Sequence, residues 1–530
     1  MLGVSDATSV QSHEGKSFEQ VCRERDEYKK LYVDLIELCR KLELGILQKR
    51  ERFEPNDAQL SLAILKAMGA GQPADAQQPA PKTQVPAHER QKPTGRKPLP
   101  ENLPRVDIEV LPPEVEQHGL DAFIKIGEDV TETVEQRPAS IVVVRVHKPK
   151  FVPKSAETVT ERAVLQALPP ELPIPRGLAG PGLLAGSIVR RWQEHQPLHR
   201  LERTYGREGL ELARSTMCGW HAELSRLVAP LIEEMWGDAF TAPYLCTDAT
   251  GVLVQALEKC RNAHFFVVAA PDKHVLFGYT PKHNSAAVDK LLGGYKGYLV
   301  ADAHVVYDHL YAKGKIIEVA CWAHARRYFF KALASDPTRA RHVLAMIQAL
   351  FLLERTRATA TPDVRLAMRV AEAKPIVKAF FEWCDAEAPL VLDETPISKG
   401  IGYARNQRAA LERFLTDGRL PLHNNFSERA LRREAIGRKN WLFVGSDDGG
   451  EVNANFVSLL ASCQLHDIEP FAYLRDLFCL LPSWPRKRVL ELAPAYWKRT
   501  VVDPATQQLL DANIYRSVSL GLLEPHRQTA

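Results

Sequence analysis

Three carboxylates, far apart in the chain, stand where metal-assisted phosphate chemistry could use them. Asp248 lies in LCTDAT and Asp302 in LVADAH, each within a strand-like apolar run. An unpaired carboxylate buried in such a run is costly unless something cationic neutralises it. Glu428 stands near the start of the stretch at 423–450, HNNFSERALRREAIGRKNWLFVGSDDGG, which is studded with Arg429, Arg432, Arg433, Arg438 and Lys439. A lone carboxylate among that many cations suits a site that holds metal ions beside phosphates. If Asp248 and Asp302 are neighbours, their repulsion raises one pKa unless a divalent cation intervenes. A pair of ions roughly 3.5–4 Å apart is the usual solution, and hard oxygen ligands favour Mg²⁺ or Mn²⁺ over zinc. An isolated Asp at a strand end is more often a turn or cap residue, and Asp289 and Asp308 are read that way.

The elements that must position these residues follow from the hydrophobic pattern. From residue 244, YLCTDATGVLVQAL, AHFFVVAA and HVLFGYT are three strand-like runs with short polar breaks. A helix-like NSAAVDKLLGGY, the strand GYLVADAH, a helix and the strand KIIEVACWAH complete the order βββαβαβ, that of a ribonuclease H-like core. With the first strand central and the fourth beside it, Asp248 and Asp302 become neighbours. The expected fold is therefore multidomain α/β: a mixed five-stranded sheet with helices, spanning 241–334 and completed by the Glu-bearing helix in 421–450. A long helical insertion occupies 335–420, and a helical C-terminal region follows at 451–530.

Upstream, residues 1–68 hold a helical segment in which Tyr28, Leu31, Leu35, Leu38, Leu42 and Ile46 step by three or four, the seam of a short coiled coil or helical hairpin. Residues 69–105 form a basic, Pro-rich linker. Residues 106–154 alternate like short strands, with IVVVRVHKPKFVPK at 141–154 the clearest case. Residues 155–240 are helical. Within them LHRLERTYGREGLELARSTMCGWHAELSRLV reads as a helix-turn-helix-like DNA-binding region that presents its second helix to the major groove, with Ser215 and Thr216 as N-caps of that helix.

Composition sets the outer bounds. The 530 residues, 45% hydrophobic and 25% charged, match a soluble globular protein of several domains. No apolar run is long enough to span a membrane, and the N-terminus lacks a signal core, so a cytoplasmic location is expected. Nine cysteines, none in a C-x-x-C pair, read as reduced thiols and not as a zinc site. The net charge of +4 says little, but cations cluster at 186–207 and 405–439, suiting a polyanion such as DNA.

Longer motifs carry a family resemblance. LHRLERTYGREGLELARSTMCGW, the strands bearing Asp248 and Asp302, CWAHARRYF at 321–329, IGYARNQRAALERFLTDGRLPLHNNFSERALRREAIGRKNWLFVGS at 401–446 and IEPFAYLRDLF at 468–478 resemble a transposase of the insertion sequence 66 family, in the bacterial DDE superfamily. The resemblance implies that Asp248, Asp302 and Glu428 are a catalytic, metal-binding triad for two Mg²⁺ or Mn²⁺ ions. Fifty-four residues separate the aspartates and 126 separate Asp302 from Glu428, enough for the helical insertion. It further implies DNA contacts by His324, Arg326, Arg327, Asn424, Asn425, Arg432, Arg438 and Lys439, with a core structural role as the alternative for His324 and with Asn424 and Asn425 also placed to orient Glu428 or cap its helix. The partners implied are terminal inverted repeats and target DNA, a homodimer or higher oligomer in a synaptic complex, and small accessory proteins of the same element. The chain departs from the family pattern in places. No cysteine lies between Cys39 and Cys218, where the family often carries a four-cysteine zinc module; the motifs read TDAT, ADAH and HNN where the family usually has an acidic residue after the first aspartate, Asp-Gly-Tyr and Asp-Asn-Asn. These departures motivate an alternative, a catalytically impaired DNA-binding relative. An RNA-binding coiled-coil protein and a ribonuclease H-like nuclease without transposition are further readings.

Overall fold

The computed structural model describes residues 99–523 apart from 102, 138–139, 155–163 and 313. The expected N-terminal coiled-coil segment and nearly all of the linker lie outside these residues. The described chain divides into two compact units. Trp322–Leu415 forms one, and the residues up to Cys321 together with those from Thr416 onward form the other.

The larger unit is built on two sheets. In the first, β1 (Arg105–Glu109) pairs in parallel with β3 (Ser140–Pro153), which forms an antiparallel hairpin with β2 (Phe123–Arg137); a two-residue β4 (Leu165–Gln166) adds to β3. Val142, Val144 and Val146 of β3 alternate onto one face and pack with Val106, Tyr515 and Val518. Glu135 of β2 is fully buried, and its Oε1 accepts the N–H groups of Gln136 (2.7 Å) and Leu183 (2.8 Å), the latter in the first turn of α1 (Pro181–Ile188). Burial pushes its carboxyl up to about 8, against the pull of those backbone donors.

Next come α2 (Leu198–Arg207) and α3 (Arg214–Ala239), joined by residues 208–213. The N-cap position of α3 is Ala213, with no side-chain cap bond, so Ser215 and Thr216 lie inside the first turn and not at the cap expected for them. The long apolar stripe from Met217 through Met235 is buried, which is what holds α3.

The second sheet positions the chemistry. Strands β5 (Tyr244–Val254), β6 (Arg261–Ala270) and β7 (His274–Thr280) run antiparallel to one another. After α4 (Ser285–Leu292), β8 (Gly297–Ala301) and β9 (Ile316–Ala320) add in parallel on the other side of β5. The order β7-β6-β5-β8-β9 puts the first strand of this set at the centre and the fourth beside it.

The smaller unit is helical: α5 (Trp322–Ala332), α6 (Pro337–Thr356), α7 (Lys374–Glu387) and α8 (Pro396–Asn406) with short connecting turns. Trp322 is its hub, fully buried against Phe380, Phe381 and Phe414, with Nε1–H donating to Leu411 O at 2.9 Å. Buried Arg369 is held by both oxygens of Glu354 at 2.7 Å and by Phe414 O.

Back in the larger unit, α9 (Asn425–Trp441) is followed by α10 (Asp447–Leu465) and α11 (Pro470–Leu480). Helix α10 covers β7, the edge strand. Ser458 Oγ accepts Phe277 N–H at 2.7 Å and Ser462 Oγ accepts Val275 N–H at 3.0 Å, so two of the edge amides are satisfied by side chains. The approach is close enough to require glycine at 450, where a Cβ would come within 2.5 Å of the Tyr279 ring.

Candidate functional site

Asp248 and Asp302 come together through strand register. In the parallel pair of β5 and β8, Cys246 faces Val300, and each aspartate lies two residues beyond its paired residue. They therefore emerge side by side where the two strands part, and both line one cavity of about 230 Å³. Tyr307, buried beneath them, is held protonated well above the usual phenol range by burial and then by the charges of Asp302 and Asp248; a hydrogen bond with Thr247 opposes this. Asp248 Oδ1 also accepts its neighbour's amide, Ala249 N–H, at 2.8 Å.

The same cavity has a wall that sequence reasoning did not single out. His264 of β6 stacks on His283 (centroids 4.8 Å apart, 23° between planes), and His283 packs against His304 at 4.6 Å. Burial holds His264 below the ordinary imidazole value. His283 is lowered by burial and then by His264 and His304, with Asp302 opposing. His304 is the residue that makes the second motif read ADAH, so the signal was present as a spelling departure two residues after Asp302.

Glu428 is placed by α9, and α9 is bolted to the central strand at both ends. At its start, Asn424 is wholly buried; its Nδ2 donates to Thr247 O at 2.7 Å, its Oδ1 accepts Ser427 Oγ–H at 2.5 Å, and its own amide donates to Cys321 Sγ at 3.1 Å. Thr247 is the residue before Asp248. Farther along, Arg438 Nη1 donates to Thr250 Oγ1 (2.8 Å) and Gly251 O (2.7 Å). The helix stops at Leu442, a non-glycine residue at φ 65°, after which Val444 lies beside Val254, donating to Leu253 O and accepting from Gln255 N–H, both at 2.8 Å. Glu428 itself lines a separate cavity of about 330 Å³ with His423, Asn425, Arg429 and Arg432. Among the described residues no three His, Cys, Asp or Glu side chains converge as a set that could hold an ion.

The remaining expected DNA contacts divide by position. Arg432 and Lys439 are exposed on α9, and Asn425 is half-buried at its start. Asn424 presents no surface to DNA; it is an anchor, because both ends of its amide are spent inside the protein. Arg438 is half-buried and braces α9 against β5. Arg326 and Arg327 are exposed and His324 half-buried on α5, in the helical unit. Asp289, expected to be structural, lies 3.0 Å from His309 Nε2.

Comparison with known proteins places this arrangement. The family described as "Transposase IS66 family" matches residues 176–452, a stretch that contains Asp248, Asp302 and Glu428. The chain belongs to the IS66 transposase family. The "IS66 C-terminal element" matches 458–495, and "Transposase C of IS166 homeodomain" matches 48–108. The IS66-family chain is similar to uncharacterized protein y4hP of Sinorhizobium fredii (strain NBRC 101917 / NGR234), 30% identical over 76% of this chain and 77% of that protein. It is also similar to uncharacterized protein y4qI of the same strain, 28% identical over 88% of each chain. IS66 membership ties the chain to transposition and so to DNA. Among the described residues no helix is long and apolar enough to cross a membrane.

Proposed function

We propose that the chain is a DNA transposase with a ribonuclease H-like catalytic core that binds the terminal inverted repeats of its element and carries out metal-dependent strand cleavage and strand transfer. The observation that carries this reading is the shared cavity of Asp248 and Asp302 at the parting of two parallel strands, with the Glu428 helix anchored to the residue beside Asp248. Two adjacent carboxylates are the hard oxygen donors that a divalent cation such as Mg²⁺ or Mn²⁺ would take. Asp248 and Asp302 would hold it, and Glu428 would join them on assembly with DNA. Such an ion, Mg²⁺ or Mn²⁺, supplies Lewis-acid activation of the attacking oxygen and stabilises the leaving one.

The chain's own part is to orient the DNA strand. Arg432, one turn from Glu428 on α9, and Lys439, exposed in the last turn of the same helix, neutralise phosphate charge, as guanidinium forks and ammonium groups do. A water oxygen attacks phosphorus at the element end and the P–O3′ bond breaks, leaving a 3′-hydroxyl. That hydroxyl then attacks a phosphodiester of target DNA, one P–O bond forming as another breaks, so no ATP is consumed. Synapsis of two ends calls for at least a dimer.

A second reading has an observation behind it. Glu428 opens into a cavity separate from that of the two aspartates, which also suits a DNA-binding relative that no longer cuts. Strand transfer with Mg²⁺ or Mn²⁺ on duplexes carrying the element's ends separates the two. Activity in the wild type that disappears in Asp302→Ala supports catalysis; indistinguishable products from the two proteins would reject it.

A further inference from the structure

The three-histidine wall faces the cavity of Asp248 and Asp302, yet nothing in the triad chemistry uses it. His264 Nδ1 and His283 Nε2 are buried and have no hydrogen-bond partner. Leaving a buried ring nitrogen unsatisfied is unfavourable, and two of them in contacting rings is an arrangement that a ligand would complete. The third ring is already oriented. His304 Nδ1 accepts Val306 N–H at 3.2 Å, which leaves the proton on Nε2 as a donor. The ring-on-ring contacts at 4.8 and 4.6 Å restrict each imidazole to a narrow range of orientations, so the nitrogens are set before any ligand arrives. The rings do not converge on a common point as metal ligands do, in keeping with the lack of a three-ligand set among the described residues.

The ligand must tolerate the two carboxylates that line the same cavity and must offer acceptors to ring N–H donors. A phosphodiester does both, since its non-bridging oxygens accept hydrogen bonds, and a cation held by Asp248 and Asp302 would offset the carboxylate charge. We infer that His264 and His283, held in place by their stack with His304, donate hydrogen bonds to the non-bridging oxygens of the DNA phosphodiester that is cut. The inference rests on the proposed transposase reading of Asp248 and Asp302. The donors act most strongly as charge grows on those oxygens in the transition state, so their removal lowers the cleavage rate more than it weakens binding.

The test uses the full chain and a duplex carrying the element's terminal repeat, with single substitutions chosen to separate hydrogen bonding from packing. His283→Phe and His264→Phe keep an aromatic ring in the stack but remove the donor. His283→Gln returns an amide nitrogen near the position of Nε2, and His264→Asn does so near Nδ1. Melting temperatures establish that each variant is folded. The expected result is a fall of about 100-fold in the single-turnover cleavage rate for each Phe variant, with at least tenfold recovery in the amide variants. A second readout needs no turnover: in EDTA, replacing the scissile phosphodiester by a methylphosphonate weakens wild-type binding and leaves the affinity of the double Phe variant unchanged. Phe variants that cleave at the wild-type rate, while Asp248→Asn is inactive, overturn this inference alone. Amide variants as slow as the Phe variants overturn the donor role and assign the wall to packing. An active Asp248→Asn removes the transposase reading and this inference with it.

Discussion

Asn424→Ala tests whether the Glu428 helix depends on its anchor to β5. The Asn424 side chain is fully buried, donates to Thr247 O at 2.7 Å and accepts from Ser427 Oγ at 2.5 Å. Alanine removes the donor to Thr247 O in the interior, while Ser427 Oγ–H keeps its bond to the backbone carbonyl of residue 424 at 3.0 Å. The orphaned carbonyl costs about 1–3 kcal/mol, so the variant should lose about that much stability. The free energy would be read from the urea midpoint at constant m-value. Because the lost bond is to the residue preceding Asp248, the start of α9 should also shift relative to the aspartates. A displacement near 1 Å costs on the order of 100-fold in rate, which a single-turnover cleavage assay can resolve. Affinity for end-containing DNA, measured where the variant is fully folded, should be unchanged, since Asn424 has no exposed surface. Asn424→Asp keeps the shape, loses the donor and turns a carboxylate toward a carbonyl, so it should be no better than alanine at neutral pH. Wild-type stability together with wild-type cleavage in Asn424→Ala would refute the anchoring argument.

Three further outcomes follow from the same geometry. Asp248→Asn and Asp302→Asn should each abolish metal-dependent strand cleavage while gel-shift affinity for the terminal repeat in EDTA stays within about threefold, since neither carboxylate attracts DNA; cleavage at the wild-type rate by either would remove it from the metal set. Gly450→Ala should destabilise the protein by about 1–3 kcal/mol, because the new Cβ would lie 2.5 Å from the Tyr279 ring and α10 cannot back away without losing the serine bonds to β7; calorimetry showing an unchanged melting temperature would contradict this. Glu135 is held up at about 8 in the folded state, above its unfolded value, so its contribution is most favourable when protonated and is lost as pH rises toward 8. Glu135→Gln should therefore gain about 3–4 kcal/mol relative to wild type between pH 5 and pH 8, and a difference that does not vary with pH would show that the carboxyl is not titrating there.

Local patterning carried much of the frame. The period-2 runs at 244–280, the helix-like NSAAVDKLL and the two later strands are each legible because alternation and turn residues act within a few positions. The helical texture of the insertion and the tail was legible for the same reason, with Pro470, Pro494 and Pro504 each at the first turn of a helix. Caps were less legible: Ser215 and Thr216 have the right chemistry for an N-cap, but α3, whose first turns bury Met217 and Trp220, begins at Arg214 with Ala213 in the cap position. Asn424 was legible as a residue that orients Glu428 or caps its helix, but its partner Thr247 O was not, because the two residues lie 177 positions apart.

Residue types alone raised the expectation that Asp248, Asp302 and Glu428 belong to a cation-binding site, since the apolar neighbours of the first two and the arginines around the third are properties of the chain itself. Which of them share a cavity was decided only in three dimensions. Cys246 faces Val300 because β8 adds in parallel beside β5, and that pairing, not any local signal, brings Asp248 and Asp302 together. The bond from Asn424 to Thr247 spans 177 residues and likewise leaves no trace in local pattern. His264, His283 and His304 belong to a strand, a loop and the cap of the turn after β8, and they become one wall only in the folded chain. Hydrogen bonds and ring contacts between distant segments depend on register, and register is settled by the burial of the whole sheet at once.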